Sequence, residues 1–295
     1  MKKRTKQIIS FIIAIIIVFG PSLFNNEELP SYSNKNSNIV TSDLKVYFFD
    51  VGQADSIFIS NNNKNMIIDA GNNEDGEKIS TYLKKELNIT EIDYVVGTHP
   101  HEDHIGGLDN IINNFNVNNV YLPEATTTTK TFDDVLTAIE NKNLSITVPE
   151  IGETFKLGEA DFEVIYTGTG DKDLNEASII LKMIFGNYTY LFTGDTIEEV
   201  EEKILNKGID IDVLKVAHHG SKYSSSEKFL NKATPSYAII SAGDNNSYGH
   251  PEPETLTRLK KHTNEIYVTK DHGTILISSD GKTINIETFK TDTNG

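Results

Sequence analysis

Short apolar runs alternate with amphipathic segments between residues 44 and 288. Runs of β-branched and aromatic residues bounded by Gly, Asn and Asp predict strands, and apolar residues at three- and four-residue spacing predict helices. Strands are predicted at residues 44–49, 56–59, 66–68, 92–97, 117–122, 147–148, 155–157, 162–166, 179–185, 188–192, 213–216, 237–241, 266–269, 274–278 and 283–288. Helices are predicted at residues 77–87, 106–112, 132–140, 196–207 (capped by Thr196), 226–231 and 253–261. Since no internal repeat divides this mixture, the pattern predicts one α/β domain.

The first 43 residues follow a different pattern. Four basic residues within the first six positions precede an almost wholly apolar run that begins at residue 8 and extends to about residue 24. This predicts a signal peptide or N-terminal membrane anchor at residues 1–24. Residues 25–43 are predicted to be a polar linker and residues 44–295 the folded domain. Because basic flanks stay cytoplasmic, we expect the domain to be secreted, or membrane-anchored and extracellular.

Composition narrows the chemistry. Hydrophobic residues make up 37% of the chain, which is enough for a core, and there is no cysteine. Disulfides and thiolate zinc sites are therefore excluded. The formal net charge of −16 offers no general attraction for phosphate backbones. A polyanion would bind only where bound metal ions make the local electrostatic potential positive.

Residues 98–107 concentrate metal-binding side chains. His99, His101, Asp103 and His104 fall within six positions, directly after the predicted strand at 92–97. Imidazole is the commonest metal ligand, and a neighbouring carboxylate suits a divalent ion. His99 and His101, two apart on an extended segment, project the same way and are predicted to hold one ion. Asp103 and His104 turn the other way and are predicted to hold a second.

Later strand ends carry further candidates. Asp195 follows the strand at 188–192, where it serves either the site or a helix cap. His218 and His219 follow the strand at 213–216, and a chemical role is predicted for at least one of them. His250 lies in a loop before a predicted helix, a place suited to contacting a phosphate.

Two aspartates are expected to support the site from behind. Asp69 follows a predicted strand and is expected to hydrogen-bond a ligand rather than to bind metal itself. Asp50 is expected to do likewise or to form an Asx-turn. His262 and His272 have no supporting context and are expected at the surface.

Together these residues resemble the metallo-β-lactamase superfamily. The motifs are His99-x-His101-x-Asp103-His104, Asp69 in Ile-Asp-Ala-Gly, Asp195 in Thr-Gly-Asp, and the later histidines. The resemblance implies an α/β fold, a four-layer αββα sandwich, with a metal site at one edge of its two sheets.

Within that superfamily the chain looks most like the extracellular hydrolase domain of the ComEC/Rec2 competence proteins. The matching segments are residues 49–56, 99–107, 191–195, 214–221 and 248–251. The 295 residues contain this domain and one N-terminal apolar run, and not the multi-span membrane channel of those proteins.

The resemblance also implies two sets of metal ligands. His99, His101 and Asp195 form the first set. Many relatives add a third histidine, but residues 105–194 contain none, and Asn175 and Ser178 lie in the corresponding stretch as supporting residues. The first ion is therefore expected to keep an open position.

The second set implied by the resemblance shares Asp195 with the first. It adds Asp103, His104 and either His218 or His219, and His218 is favoured because it is nearer the strand end. The expected cofactor is Zn²⁺ at two sites, with Mn²⁺ as the second candidate because of the carboxylates and the missing histidine.

The expected reaction is hydrolysis of a phosphodiester, DNA or a cell-wall polymer. Asp103, His219 and His250 are the predicted participants, with His250 and the free histidine of the 218/219 pair holding phosphoryl oxygens or protonating the leaving group.

A teichoic-acid phosphorylcholine substrate would favour nearby aromatic residues, for which Tyr223 and Tyr248 are candidates. The residues are also compatible with a β-lactamase-like amide hydrolase and with a noncatalytic metal-binding domain. Membrane contact is expected only through an uncleaved N-terminal segment, and no obligate protein partner is inferred.

Overall fold

The computed structural model describes residues 44–244 and 246–290. The predicted signal or anchor and the linker, residues 1–43, lie outside the described residues. Two mixed β-sheets face each other across the domain. The first contains β1 (Leu44–Phe48), β2 (Ser56–Asn61), β3 (Lys64–Ala70), β4 (Glu91–Val96), β5 (Asn116–Tyr121), β6 (Ile146–Thr147), β14 (Thr274–Ser279) and β15 (Ile284–Phe289). The second contains β7 (Thr154–Leu157), β8 (Ala160–Tyr166), β9 (Ile180–Phe185), β10 (Tyr188–Phe192), β11 (Val213–Lys215), β12 (Tyr237–Ile240) and β13 (Glu265–Val268).

Helices cover the outer face of each sheet. They are α1 (Asp75–Lys85), α2 (Glu102–Ile105), α3 (Leu108–Asn114), α4 (Lys130–Asn141), α5 (Glu198–Ile204), α6 (Glu227–Ala233), α7 (Pro253–Leu259) and α8 (Thr269–His272). Two 3-10 turns, Leu174–Ala177 and Ala217–Gly220, lie between strands.

The two sheets share one arrangement. Their strand orders are β15-β14-β1-β2-β3-β4-β5-β6 and β13-β12-β11-β10-β9-β8-β7. In the first sheet β3, β4, β5 and β6 pair in parallel, and in the second β10, β11, β12 and β13 do. Ligands of α/β folds bind beyond the carboxyl ends of parallel strands. The loops after these strands are therefore where a site is expected.

The two-residue periodicity of the strands builds three apolar layers. Val46 and Phe48 face the second sheet, where the Phe48 ring lies 6.4 Å from that of Phe192. Tyr47, between them in sequence, points to the other face and packs in the same apolar layer as Leu83 of α1. On the second sheet, Leu214 packs outward against the helices with residues such as Val200. This arrangement confirms the predicted four-layer αββα sandwich.

Some element boundaries differ from the sequence prediction. The helix predicted at residues 196–207 begins only at Glu198, and its N-cap is Ile197, without a side-chain cap. The Thr196 cap was wrong because the Thr196 amide donates to the Thr193 carbonyl, which continues the turn around Asp195. No helix within the described ranges is long and apolar enough to cross a bilayer.

Candidate metal centre

The predicted ligands and the supporting residue Asp69 meet beyond the carboxyl ends of four parallel strands. β4 leads into His99, β3 ends with Asp69 and Ala70, β10 leads into Asp195, and β11 leads into His219. Several of these residues have backbone conformations that are rare outside glycine, with φ of +59° at Asp69 and +53° at His219. Such conformations cost energy and persist mainly at functional sites. These backbone conformations therefore direct the side chains of Asp69 and His219 toward the site.

His99 and His101 converge as their spacing predicts. The Nε2 atom of His99 lies 2.9 Å from Nδ1 of His101, and their rings are nearly perpendicular. His99 is fully buried, whereas His101 is partly exposed. Two ring nitrogens facing each other from a single extended segment can hold one ion together.

A second group forms around Asp195. Ligand atoms of Asp103, His104, Asp195 and His219 all lie within 4.8 Å of one another. The Nε2 of His104 is 3.3 Å from Oδ1 of Asp195, and the Nε2 of His219 is 3.5 Å from its Oδ2. The Nε2 of His219 also lies 3.3 Å from Oδ2 of Asp103. Asp195 thus touches both histidines of the group.

These residues fit a divalent cation. His104 Nε2, His219 Nε2 and Asp195 Oδ1 are buried and have no hydrogen-bond partner. Buried polar atoms are rarely left without a partner, and a metal ion at this point would satisfy all three. Imidazole nitrogens with carboxylate oxygens suit zinc and also manganese. The donor set itself does not select between these metals.

The structure brings His219 rather than His218 into this group. His218 and His219 both have left-handed backbone conformations, with φ of +50° and +53°. The Nε2 of His218 lies 3.7 Å from Asp195, and its side chain is one-quarter exposed. The geometry therefore favours His219, whereas the sequence favoured His218. The reason is that two successive left-handed residues reverse the chain and turn His219 inward.

Without a cation, the carboxylates of the site draw protons onto two of its histidines. Burial opposes charge on His104, yet Asp195, Asp103 and Asp69 raise its pKa well above the ordinary value. Burial likewise opposes charge on His219, but Asp195 raises its pKa. Burial also acts against ionised Asp195, but nearby His219 and His104 hold its pKa well below the usual range. The carboxylates therefore attract positive charge, which divalent ions would supply.

Asp69 lies behind the ligands, as its sequence position predicts. Its Oδ1 accepts a hydrogen bond of 2.8 Å from the Thr98 amide, and its Oδ2 accepts one of 2.7 Å from the Thr98 hydroxyl. Nδ1 of His104 donates to the same Oδ2 at 2.8 Å. Asp69 is fully buried and contacts the ligand through this one nitrogen. Its carboxylate therefore orients the ring of His104 from the far side.

Other predicted supporting residues have separate positions. The Asp195 amide donates to the Ser178 hydroxyl at 3.2 Å, which fixes the backbone at the shared carboxylate. Asn175 is buried, and its carbonyl accepts from the Ser178 amide. The Asp50 carboxylate accepts from the Gly52 amide in an Asx-turn, the second of its two predicted roles.

His250 lies at the solvent side of the ligand group. It is 7% exposed, and its ring centroid is 5.7 Å from that of His218 and 6.4 Å from that of His219. Burial lowers the pKa of His250, and the nearby His218 and His219 lower it further. The ring is therefore held neutral.

The neutral ring of His250 has a defined tautomer. The amide nitrogen of Gln53 lies 3.4 Å from Nδ1 of His250, and an amide nitrogen can only donate. The orientation of Gln53 is fixed because its Oε1 accepts from the Gly243 amide at 3.2 Å. Nδ1 of His250 therefore accepts, and its Nε2 carries the proton.

Sequence reasoning missed three contributors. Gln53 and Asp55 come from the loop between β1 and β2, and Lys215 ends β11. Asp55 and Lys215 are each 1% exposed. The available signal was a lysine inside an otherwise apolar strand directly before the histidine pair, since lysine is almost never fully buried unless paired.

Comparison with known proteins gives a consistent result. The family described as the metallo-beta-lactamase superfamily matches residues 49–244, more than half of the chain. ComE operon protein 3 of Bacillus subtilis (strain 168) is 30% identical over 256 residues, covering 80% of this chain and 33% of that protein. Competence protein ComA of Neisseria gonorrhoeae is 24% identical over 84% of this chain and 33% of that protein. The chain thus spans about a third of the length of these relatives.

Solved structures share the fold at low sequence identity. The metallo-beta-lactamase fold protein YhfI from Bacillus subtilis superposes with a TM-score of 0.53 at 12% identity, over 78% of this chain and 98% of that one. CmlA, a diiron beta-hydroxylase from Streptomyces venezuelae, gives 0.54 at 13% identity, over 80% of this chain and 54% of that one. Both likenesses bear on the fold alone.

Proposed function

Because the chain belongs to the metallo-β-lactamase superfamily, we propose that this hydrolase domain is a phosphodiesterase, with a nucleic acid as its first candidate substrate. The observation that carries the proposal is the convergence of Asp103, His104, Asp195 and His219 within 4.8 Å, beside the facing rings of His99 and His101. His99 and His101 would hold one ion, and Asp195 would be shared with the second set. Zinc is the first candidate metal and manganese the second.

Bound divalent ions would supply a water molecule of lowered pKa, and their positive charge would offset the negative charge of the phosphodiester. The chain itself contributes position and hydrogen bonds. Asp69 holds His104 through Nδ1, and the Ser241 carbonyl accepts from Nδ1 of His219 at 3.0 Å. Both rings are thereby kept with Nε2 toward the ligand group, so they offer their nitrogens without rearrangement.

His250 is suited to a phosphoryl oxygen or a leaving group. Its Nδ1 accepts from Gln53, so the proton on Nε2 is free to be donated. Because its pKa is lowered, the ring donates as a neutral group over the physiological range and needs no added charge. This supports a role for His250 in binding the ester or protonating the departing oxygen.

The absence of histidine between residues 105 and 194 supports a phosphodiester over a lactam. With His99 and His101 as the histidines of the first set, more of that position is left for substrate oxygens. Stacked rings beside His218 and His219 add a binding surface. The ring of Tyr248 stacks on His250 with centroids 5.6 Å apart and planes 19° apart, and Tyr248 is 70% exposed. A nucleic-acid base can stack on the exposed face of Tyr248 and extend this pair of rings.

A phosphorylcholine ester of the cell wall is the second candidate. Tyr223 and Tyr248 are both strongly exposed, and a quaternary ammonium binds the faces of aromatic rings. Their loops are tied together, since the Glu252 amide donates to the Gly220 carbonyl and Lys222 pairs with Glu252 at 3.2 Å. The chain's net charge of −16 favours a cationic group over a long polyanion.

The location outside the cytoplasm belongs to the same proposal. It rests on the basic and apolar pattern of residues 1–24, which predicts a secreted or membrane-anchored product. Fractionation of the full chain, with protease applied to intact cells, tests it. Protection of the domain from protease in intact cells would contradict the location.

A substrate panel tests the reaction. The metal-loaded full chain is assayed with bis(p-nitrophenyl) phosphate, single-stranded DNA, p-nitrophenylphosphorylcholine and a chromogenic cephalosporin. We expect turnover of the phosphodiesters and none of the lactam. Tyr248→Ala is expected to reduce hydrolysis of DNA far more than that of the small ester, with Tyr188→Ala, on β10, as the matched control. Turnover of the lactam alone would refute the proposal.

A further inference from the structure

A buried ion pair lies directly behind the metal ligands. The Nζ atom of Lys215 is 2.7 Å from Oδ2 of Asp55, and both side chains are almost completely excluded from solvent. Nζ of Lys215 also donates to the Val216 carbonyl at 3.0 Å. Lys215 comes from β11 of the second sheet and Asp55 from the β1–β2 loop of the first. The pair therefore joins the two sheets immediately beneath the site.

Asp55 faces two of the ligand rings at once. Its Oδ2 is 3.9 Å from Nδ1 of His104, and its Oδ1 is 3.8 Å from Nδ1 of His219. Those are the ring nitrogens that point away from the ligand group. Oδ1 of Asp55 has no hydrogen-bond partner, so its charge is directed at the ring of His219 and is not shared with a donor. A carboxylate placed behind an imidazole makes that imidazole a stronger metal ligand.

The backbone of Asp55 reaches a third ligand. Its amide donates to the carbonyl of Asp103 at 3.0 Å, and its own carbonyl accepts from the Gly71 amide at 2.8 Å. A shift of Asp55 would therefore move Asp103 together with the environment of His104 and His219.

The ammonium of Lys215 balances buried negative charge behind the ligand rings. Asp55, Asp69 and His104 themselves form a group whose ligand-type atoms lie within 4.8 Å of one another. Asp69 accepts hydrogen bonds from Thr98 and His104, and the ionised carboxylate of Asp55 forms an ion pair with Lys215. The ammonium thus supplies the positive charge at a fixed point. This leaves the Nε2 atoms on the other side of the rings as the place for an exchangeable ion.

We propose that Asp55 and Lys215 are positioning residues, an internal ion pair that sets the affinity of the second ligand set for its metal. The carboxylate strengthens His104 and His219 as ligands, and the ammonium keeps that carboxylate charged and in place. The proposal requires a metal centre but does not depend on which ester is hydrolysed.

Metal titrations of the full chain test the pair. The variants are Asp55→Asn, Lys215→Met and the double Asp55→Asn/Lys215→Met, with Lys182→Met as the control because Lys182 forms an ion pair with Glu163 between β8 and β9. Zn²⁺ affinity is measured by competition with a chromogenic chelator. Co²⁺ absorption reports the geometry of the ligands, and thermal unfolding of the metal-free protein reports stability.

The double variant is expected to recover folding stability but not metal affinity. Each single variant leaves a buried charge unpaired and unfolds at lower temperature, and the double variant recovers stability because both charges are gone. Affinity for the weaker-bound ion is expected to fall about ten- to a hundredfold in both single variants, most in Asp55→Asn, where the ammonium remains and repels the ion. In the double variant affinity stays about tenfold low, and the Co²⁺ spectrum remains altered.

Two outcomes would overturn the inference. If the double variant recovers wild-type affinity and spectrum along with stability, the pair is structural only. If the wild-type chain binds no metal, the metal centre of the proposed function fails and the inference fails with it. The Lys182→Met control must retain wild-type affinity, because a loss there would mean that any removed lysine has the same effect.

Discussion

The Nδ1 atom of His104 donates a hydrogen bond of 2.8 Å to Oδ2 of Asp69. This contact decides which ring nitrogen of His104 is free. When the ring is neutral, as in metal binding, Nδ1 carries the proton and Nε2 is the lone-pair nitrogen, which faces Asp195 at 3.3 Å. Asp69, which lies behind the ligand group, thus fixes which nitrogen of His104 is offered to it.

Two substitutions of Asp69 are expected to weaken metal binding to different extents. Asp69→Asn tolerates the left-handed backbone at φ +59° and keeps one acceptor oxygen, but it loses the charge and turns an NH2 group toward a donor that the second carboxylate oxygen had accepted from. Asp69→Ala loses the acceptor as well and should bind metal more weakly. Losses of about tenfold for Asn and about a hundredfold for Ala are expected. Zn²⁺ competition titrations measure both, and equal affinities for the two variants and wild type would contradict the role.

The two adjacent histidines are expected to behave differently. His219→Ala removes a ring that contacts both Asp103 and Asp195, so the chain should lose one of its two ions. His218→Ala removes a partly exposed ring 3.7 Å from Asp195 and should keep both ions. Metal content after dialysis distinguishes them. Loss of an ion from His218→Ala alone would instead identify His218 as the ligand.

The metal-free chain is expected to become less stable as pH rises above about 6.5. The pKa of His104 and His219 is raised in the folded state by neighbouring carboxylates. A raised histidine pKa contributes stability that is complete below the unfolded value and is lost as pH rises through the folded value. Denaturant unfolding of chelator-treated protein at several pH values measures this.

The loss of folding stability with rising pH should vanish when metal is bound. The histidine ligands are then neutral, and the ion takes the place of the proton. Metal affinity should accordingly rise with pH over the same interval. Stability of the metal-free chain that increases with pH above about 6.5 would contradict these raised pKa values.

Gly107 is expected to tolerate no side chain. A Cβ atom there would lie 2.4 Å from the Ala70 carbonyl and 2.6 Å from Cα of Gly76. Backbone atoms cannot yield as a flexible side chain can, so Gly107→Ala should lower the free energy of unfolding by at least about 1–3 kcal/mol. Gly52→Ala serves as a comparison, since nothing lies within 4 Å of its Cβ position, although its φ of +72° adds strain. Urea unfolding compares them, and a greater loss at Gly52 would contradict the packing argument.

The part of the ligand group at residues 99–104 was predictable because its residues are close in sequence and follow one apolar strand. His99 and His101 needed only the extended geometry of residues after β4, and the sandwich followed from the resemblance and the alternation of positions such as Tyr47 and Phe48. The Asp55–Lys215 contact was not predictable, because 160 residues and two different sheets separate its partners. Alternation places Lys215 on a face of β11 but does not identify what neutralises it.

The sequence could not decide between His218 and His219 for a different reason. The choice depends on two successive left-handed residues that are not glycine, a conformation that local propensity disfavours. Contacts with Ser241 and the Gly194 carbonyl hold this turn, and both come from segments that are distant in sequence. Only the assembled sheet shows which ring turns inward.

The most direct test of the metal-dependent phosphodiesterase is Asp195→Asn, measured for bound metal and for hydrolysis of bis(p-nitrophenyl) phosphate in parallel with wild type. Asn retains the shape of the side chain but removes the charge that the two proposed ligand sets would share. Wild type is expected to hold two ions per chain and to lose turnover on chelation. The variant should lose at least one ion and about a hundredfold or more in kcat, while Asp161→Asn, at an exposed ion pair on β8, should match wild type. Unchanged turnover in Asp195→Asn, or a wild-type chain without bound metal, would contradict the account.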